Sequence, residues 1–268
     1  MAKKGYIKEL RGLIKENKAT FAVYIILRVF VITSLIISLA RQDFESAFVC
    51  LLSLLLFLVP AFLEDKLKIE LPGTLEIIVL LFIFAAEILG ELNAYYVRVP
   101  FWDAMLHTVN GFLCAAVGFA LIDILNRNEK FKFQLSPLYV AIVAFCFSMT
   151  IGVLWEFFEF GVDNFLGMDM QKDVVINEIR SVSLDPTKTN TVIAVSDINE
   201  VLINGNELGV GGYLDIGLYD TMKDLLVNFL GAVIFSIIGF FYIKNRGRGK
   251  IAGSFIPKLR EEIKEGSV

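Results

Sequence analysis

"FAVYIILRVFVITSLIISLA", Phe21–Ala40, contains one charged residue, Arg28, in an otherwise apolar run. At about 1.5 Å per residue, a helix of this length spans a bilayer's hydrocarbon core, about 30 Å thick. It shows no polar stripe of the kind a helix on a soluble core presents to water. Similar runs recur along the 268 residues, and 56% of the chain is hydrophobic, with a mean hydropathy of +0.66. The sequence therefore reads as a polytopic membrane protein, and size rules for soluble domains do not apply.

Six spans are expected: Phe21–Ala40, Phe44–Leu63, Thr74–Leu92, Asp103–Leu125, Leu138–Val162 and Thr221–Ile243. They must be helical, because lipid offers the backbone no hydrogen-bond partner and no barrel-like alternation is present. Pro60, Pro72, Pro100 and Pro137 fall near the proposed ends. The fold class is an all-α bundle of six transmembrane helices. Its parts are a basic arm (1–20), helices 1–5 (21–163), an insertion (164–219), helix 6 (220–243) and a basic tail (244–268).

Lys and Arg placement orients the bundle. The arm carries Lys3, Lys4, Lys8, Arg11, Lys15 and Lys18, and the tail carries Lys244, Arg246, Arg248, Lys250, Lys258, Arg260 and Lys264. Six spans put both on one side, together with Lys66, Lys68, Arg127, Lys130 and Lys132. The opposite side has only Arg41, Arg98, Lys172, Arg180 and Lys188. Positive charge stays inside, so both termini are expected in the cytoplasm of a multi-pass cell-membrane protein. The first span reads as a retained signal anchor, because no small-residue cleavage site closes it. The tail reads as a segment near anionic lipid or a short amphipathic helix. Nothing points to nucleic acid: the net charge is −4, and the basic residues flank the spans. The cysteines, Cys50, Cys114 and Cys146, lie within apolar runs and offer no disulfide framework or Cys/His metal spacing.

The connection 164–219 is too long for a simple link between helices. "DVVINEIRSVSL" and "NTVIAVSDINEVLINGNEL" are rich in Val and Ile, and Asn204-Gly205 is a strong hairpin signal. A small β-hairpin or three-stranded excursion outside the membrane is expected there.

Ionisable groups inside spans cost roughly 2.5–3.5 kcal/mol each on insertion scales, so each needs a reason. They gather here at one level. Helix 4 begins with Asp103, His107 and Asn110, and helix 5 ends in "WEFFEFGVD" with Glu156, Glu159 and Asp163. Helix 6 begins with Asp220, Asp224 and Asn228, and helix 3 ends with Glu87 and Glu91. His107 and Asp224 lie about 6 Å inside their helix starts, and Asn110 and Asn228 about 10–12 Å inside. If the polar faces converge, they line a wet pocket open to the exterior.

"DAMLHTVNGF", "WEFFEFGVDNFLG" and "YDTMKDLLVNFLGA" together resemble the YjdF-like bacterial membrane proteins and, more distantly, the VanZ-like family linked with glycopeptide resistance. The resemblance covers about Pro100 to Phe240, most of the long insertion excepted. Asp103, His107, Gly111, Glu156, Glu159, Asp220, Asp224 and Gly231 match the motifs, and Tyr219 stands where that family often has Trp. The resemblance strengthens the site without naming a reaction.

Three chemistries fit these residues. The first is work on a polar head group at the outer leaflet. His107, Glu156 and Asp224 would be the acid–base groups, and Asp103, Asn110 and Asn228 would hold the ligand. A divalent cation is the candidate cofactor, with His107, Glu156, Glu159, Asp220 and Asp224 as candidate ligands. The partners implied are membrane lipid and a cell-envelope or lipid-linked ligand. HExxH, GxSxG and phosphate-cradling loops are absent. The second is proton- or ion-coupled transport, opposed by the groups' gathering at one surface and by the lack of an inverted repeat. The third is structural: interhelical bonds or partner binding without catalysis, worth around 0.6 kcal/mol per bond. Gly111, Gly118, Gly231 and Gly239 would allow close helix packing in any of them.

Overall fold

The computed structural model describes residues 18–67, 69–127, 135–245, 254–256 and 258–259. Most of the basic arm, the loop cations Lys68, Lys130 and Lys132, and the tail's Arg246, Arg248, Lys250, Arg260 and Lys264 lie outside the described residues. The chain forms two units, Met1–Gly152 with Leu226–Val268, and Val153–Leu225.

In the first unit, α1 (Lys18–Ala40) turns sharply at Gln42, whose φ is +59°, into α2 (Phe44–Leu56). Asp43 caps α2 by accepting the Ser46 amide at 3.0 Å. The bonds from Ser46 hold the Asp43 carboxyl below its usual range. A two-residue break at Phe57–Leu58 separates α2 from α3 (Val59–Leu67), so the second expected span is two helical pieces in line. Next come β1 (Ile69–Glu70), α4 (Gly73–Ile83), a π-helix over Phe84–Leu92, and the short α5 (Tyr95–Arg98). α6 (Trp102–Arg127) follows, with α7 (Pro137–Leu166) and α8 (Leu218–Lys244) completing the long helices.

Among the described residues, five helical stretches are long and apolar enough to cross a membrane: Lys18–Ala40, Phe44–Lys66, Trp102–Asp123, Pro137–Leu166 and Leu218–Lys244. The stretch expected as the third span, Thr74–Leu92, is an eleven-residue α-helix that rewinds into a nine-residue π-helix. The Asn93 amide and its side-chain Nδ2 both donate to the Ile88 carbonyl, at 3.1 and 2.6 Å, and fix that wider winding at its C-terminal end. Apolar periodicity does not distinguish the two windings, so the change is not legible in the residues.

Where α6, α7 and α8 meet in the first unit, small residues bring backbone against backbone. A Cβ on Gly111 would overlap the Asn228 carbonyl, and one on Gly231 would overlap that of Thr108. Deeper, Gly239 lies against the Phe119 ring, so α6 and α8 run in the same direction. Gly118 lies against Phe147, and the Ser148 hydroxyl donates to the Gly111 carbonyl at 2.8 Å. Gly152 lies against Asn228, while Val140 and Ala144 share the buried cluster of Phe119, Ala232 and Phe235 below it; α7 therefore runs opposite to the other two. Small residues at crossings are how helices pack where lipid provides no hydrophobic drive.

Within the tail, Lys258–Leu259 form a strand, β8, where a short amphipathic helix was one expectation; β8 is antiparallel to β1, with Ile69 opposite Leu259 and Glu70 opposite Lys258. Just before it, Phe255 sets its ring edge-on to Phe112 at 5.2 Å, and Ile256 is buried against the α6–α8 core. The apolar anchors precede the strand, and pairing satisfies backbone groups that a two-residue overhang would otherwise leave to water.

The second unit holds the inner ends of α7 and α8 in the chain and the segment that joins them. That segment carries three two-stranded antiparallel pairs: β2 (Val175–Ile176) with β7 (Tyr213–Leu214), β3 (Ile179–Ser181) with β4 (Ile193–Val195), and β5 (Leu202–Ile203) with β6 (Asn206–Glu207). Asn204 and Gly205 join β5 to β6 with φ of +53° and +81°, the two positive values that a type I′ turn requires.

Between β3 and β4, the Asp185 carboxylate gathers the amides of Thr187, Thr189 and Thr191 at 2.8–3.2 Å. The Thr187 hydroxyl and these amides hold its pKa well below the ordinary carboxylate range. A folded-state pKa that lies below the unfolded value, about 3.9, makes the contribution complete above that value and lost as pH falls through the lower one. Asp185→Asn is therefore expected to speed amide exchange at Thr187, Thr189 and Thr191 at pH 7. In the wild type, those amides stay protected through pH 4 and open only in stronger acid, as exchange mass spectrometry would report.

Candidate functional site

α6 begins with a polar turn in the first unit. Asp103 and His107, four residues apart, fall on one helix face, and Oδ1 of Asp103 lies 3.4 Å from Nε2 of His107. Their side chains are 17% and 11% exposed, so a carboxylate and an imidazole meet largely out of water. A carboxylate beside an imidazole orients the ring and leaves its other nitrogen for a proton, a metal ion or a ligand.

One turn deeper, Asn110 donates Nδ2 to Oδ1 of Asn228 at 3.1 Å, across from α6 to α8. The Cys114 thiol is 3.4 Å from the Asn110 carbonyl oxygen, and Asn228 Nδ2 faces the Met149 sulfur at 3.6 Å. Asn228 is fully buried where the three helices cross. The amide pair is thus the floor of the polar turn, held by a crossing that small residues allow.

On the π-helix, Glu87 is 2% exposed, and its Oε2 has no hydrogen-bond partner among the described residues. Glu91 is half-buried, four residues on. The Tyr96 ring fills the space a side chain at Gly90 would take, and Tyr95 stacks edge-on to Trp102 at 4.9 Å. Tyr95, Tyr96 and Trp102 thus pack against the helix ends. Arg28 in α1 lies 4.1 Å above the Tyr24 ring, and its Nε and Nη2 have no hydrogen-bond partner among the described residues. Cation–π contact with Tyr24 is therefore its main observed support.

In the second unit, Glu156 and Glu159 are both buried, and Trp155 donates Nε1 to Oε1 of Glu159 at 2.8 Å. Asp163 accepts the amides of Met170 and Gln171 at 2.5 and 2.9 Å. It therefore ties down the chain after α7 and is more than a solvated end group. Asp220 accepts the Lys172 amide at 2.9 Å on one oxygen, and Lys223 Nζ lies 3.4 Å from the other. The same ammonium is 3.9 Å from Asp224, which is buried. Asp215 gathers the amides of Val174 and Tyr219 at 2.8 and 2.6 Å and sets the start of α8. Burial first, then the charges of Asp169, Asp215 and Asp163, lift the pKa of Asp173 nearby.

The structure therefore joins Asp103 to His107 and Asn110 to Asn228, and it engages Asp220 in local bonds. Sequence reasoning missed Lys223, although its spacing from Asp220 is a helix ion-pair spacing. It also missed Trp155 as the partner of Glu159, again four residues apart. Met149, Ser148 and Cys114 sit in apolar runs and carry no sequence signal.

The model of a family described as a predicted membrane protein, DUF2238, matches residues 22–245. The chain belongs to that family. The match runs through all the long helices, from α1 to the end of α8. This DUF2238 protein is also similar to an uncharacterized protein of Thermotoga maritima: 26% identical over 97 residues, covering 36% of this chain and 48% of the relative. The chain thus spans about half the length of that curated relative. No solved structure matches the chain. The family places the protein in the membrane and leaves its chemistry to be argued from the residues above.

Proposed function

We propose that this DUF2238 protein crosses the membrane six times and uses a polar cluster near the outer surface to bind a divalent cation. Through the cation it takes an anionic head group of a lipid or other cell-envelope ligand. The kinship we infer within the family is YjdF-like, and more distantly VanZ-like.

Strand pairing supports six crossings. β1 lies between the second and third expected spans and β8 follows the last, and their pairing favours both on one side. An odd number of crossings after β1 would separate them, which supports the reading that Gly73–Leu92 crosses too, as α4 and the π-helix together. The excess of Lys and Arg then puts both termini in the cytoplasm and the second unit's strands outside.

The Asp103–His107 pair carries the cation reading. We assign Asp103 and His107 as ligands, one carboxylate and one imidazole on a single helix face. One imidazole with carboxylates suits Mn, Mg, Ca or Zn. Asp220 and Glu159, in the second unit, are engaged locally: the Lys172 amide and Lys223 meet the two Asp220 oxygens, and Trp155 donates to Oε1 of Glu159. His107, Glu156 and Asp224 remain the acid–base candidates should the ligand be transformed.

One observation favours a second reading. Lys223 supplies positive charge to Asp220 and Asp224, so these acids could serve the fold alone. Thermal unfolding of purified protein with Mn, Mg, Ca or Zn separates the two. On the cation reading, saturating ion at 100 times its dissociation constant stabilises by about 2.7 kcal/mol, and Asp103→Asn or His107→Gln removes the shift. On the structural reading, no ion shifts the wild type, and Lys223→Met destabilises it.

A further inference from the structure

Ile216 is the residue in the second unit that most resists explanation by internal packing. Its φ is +54°, in the left-handed region that β-branched side chains avoid, and its side chain is 81% exposed. The conformation is imposed from both sides. Asp215 takes the Tyr219 amide, and Gly217, with φ of +89°, lies against Gln171. A loop in water would place Gly or Asn at such a position. Here a large apolar side chain is strained and exposed together, and neither cost is offset within the protein.

It does not stand alone. At the end of α7, Phe165 is 87% exposed and Leu166 is exposed beside it. At the start of α8, Leu218 and Tyr219 are exposed as well. The two helix ends are tied together within this unit: Asp163 holds the Gln171 amide, and Gln171 donates Nε2 to the Thr221 hydroxyl at 2.6 Å. Lys223, half-exposed, sits one turn into α8. Exposed apolar side chains with a long-stemmed cation in the next turn of α8, at the ends of two membrane-length helices, have the chemistry of the bilayer interface.

We propose that Phe165, Leu166, Ile216, Leu218 and Tyr219 form a wedge that inserts into the outer leaflet at the level of the lipid glycerol and first acyl carbons. The occupant of this surface is lipid. The wedge fixes the depth of the second unit and makes phospholipid the nearest source of head groups for it. This inference uses the six-pass orientation and is independent of whether a cation binds.

The test uses full-length wild-type protein in liposomes containing a phospholipid with a photoactivatable diazirine near the carbonyl end of one acyl chain. Adducts are mapped by peptide mass spectrometry. Labelling is expected on the peptides that hold Phe165–Leu166 and Ile216–Tyr219 and absent from the Asn204–Gly205 turn. Ile216→Gly, which suits the positive φ, should cut labelling of its peptide several-fold while leaving the protein folded. Labelling of α1 with none at the two wedge peptides would overturn the wedge. If the wedge is labelled and no ion shifts thermal unfolding, the cation reading fails alone.

Discussion

Gly231→Ala is expected to be among the most damaging single methyls in the described helices, lowering stability by about 3 kcal/mol. The added Cβ would overlap the Thr108 carbonyl and crowd the Phe112 amide, and both are helix backbone. A side chain in the way can rotate, whereas here α6 and α8 would have to separate. Separation would stretch the Asn110–Asn228 bond and open the cluster around Phe235. Gly111→Ala should behave alike, because its Cβ meets the Asn228 carbonyl. Gly161→Ala is the control: its Cβ would meet only a Phe165 ring carbon at 4.0 Å, and higher helix propensity should make it neutral or slightly stabilising, by under about 1 kcal/mol. Thermal unfolding of the three variants in detergent measures the contrast. Equal melting points would contradict the close crossing.

Asn228→Ala should cost about 1–3 kcal/mol, because it leaves the Asn110 amide without its acceptor inside the bundle. It also leaves a space between Gly152 and Met149. The comparison that identifies the cause is the pair Asn110→Leu with Asn228→Leu. If an unpaired amide dominates the single losses, the double variant should lose less than the two singles together. Measured melting points that simply add would show that volume matters more than the bond.

Much of the fold is legible in the sequence because its cause is local. Apolar runs of bilayer length mark α1, α6, α7 and α8 directly. The Asn204–Gly205 hairpin follows from a dipeptide whose backbone preferences match the turn it makes. The role of Gly111 and Gly231 also follows from composition, since a glycine in a membrane helix marks close approach. The π-helix is not legible, because Phe84–Leu92 has the same residues whichever way it winds. Strand β8 is not legible either, because two residues carry no period and their partner is almost two hundred positions away.

The site divides in the same way. Asp103 with His107 and Trp155 with Glu159 are helix-face neighbours that spacing alone can pair. The Asn110–Asn228 bond was foreseeable only as a common depth, since spacing fixes height along a helix and not which helix lies beside it. Asp163 and Asp220 look like site carboxylates in sequence, yet they hold the backbone amides of Met170, Gln171 and Lys172. Such bonds form with chain that follows or precedes a helix irregularly, where no pattern announces them. Lys223 changes the charge balance most: it stands among acids that had seemed to need an outside cation.

Equilibrium titration of purified full-length protein with Mn, followed by electron paramagnetic resonance of the free ion, tests the central claim most directly. The expected result is one saturable site per chain, lost in Asp103→Asn and His107→Gln and kept in Asp220→Asn. A wild type that binds no ion, or binding that survives both losses, would contradict it.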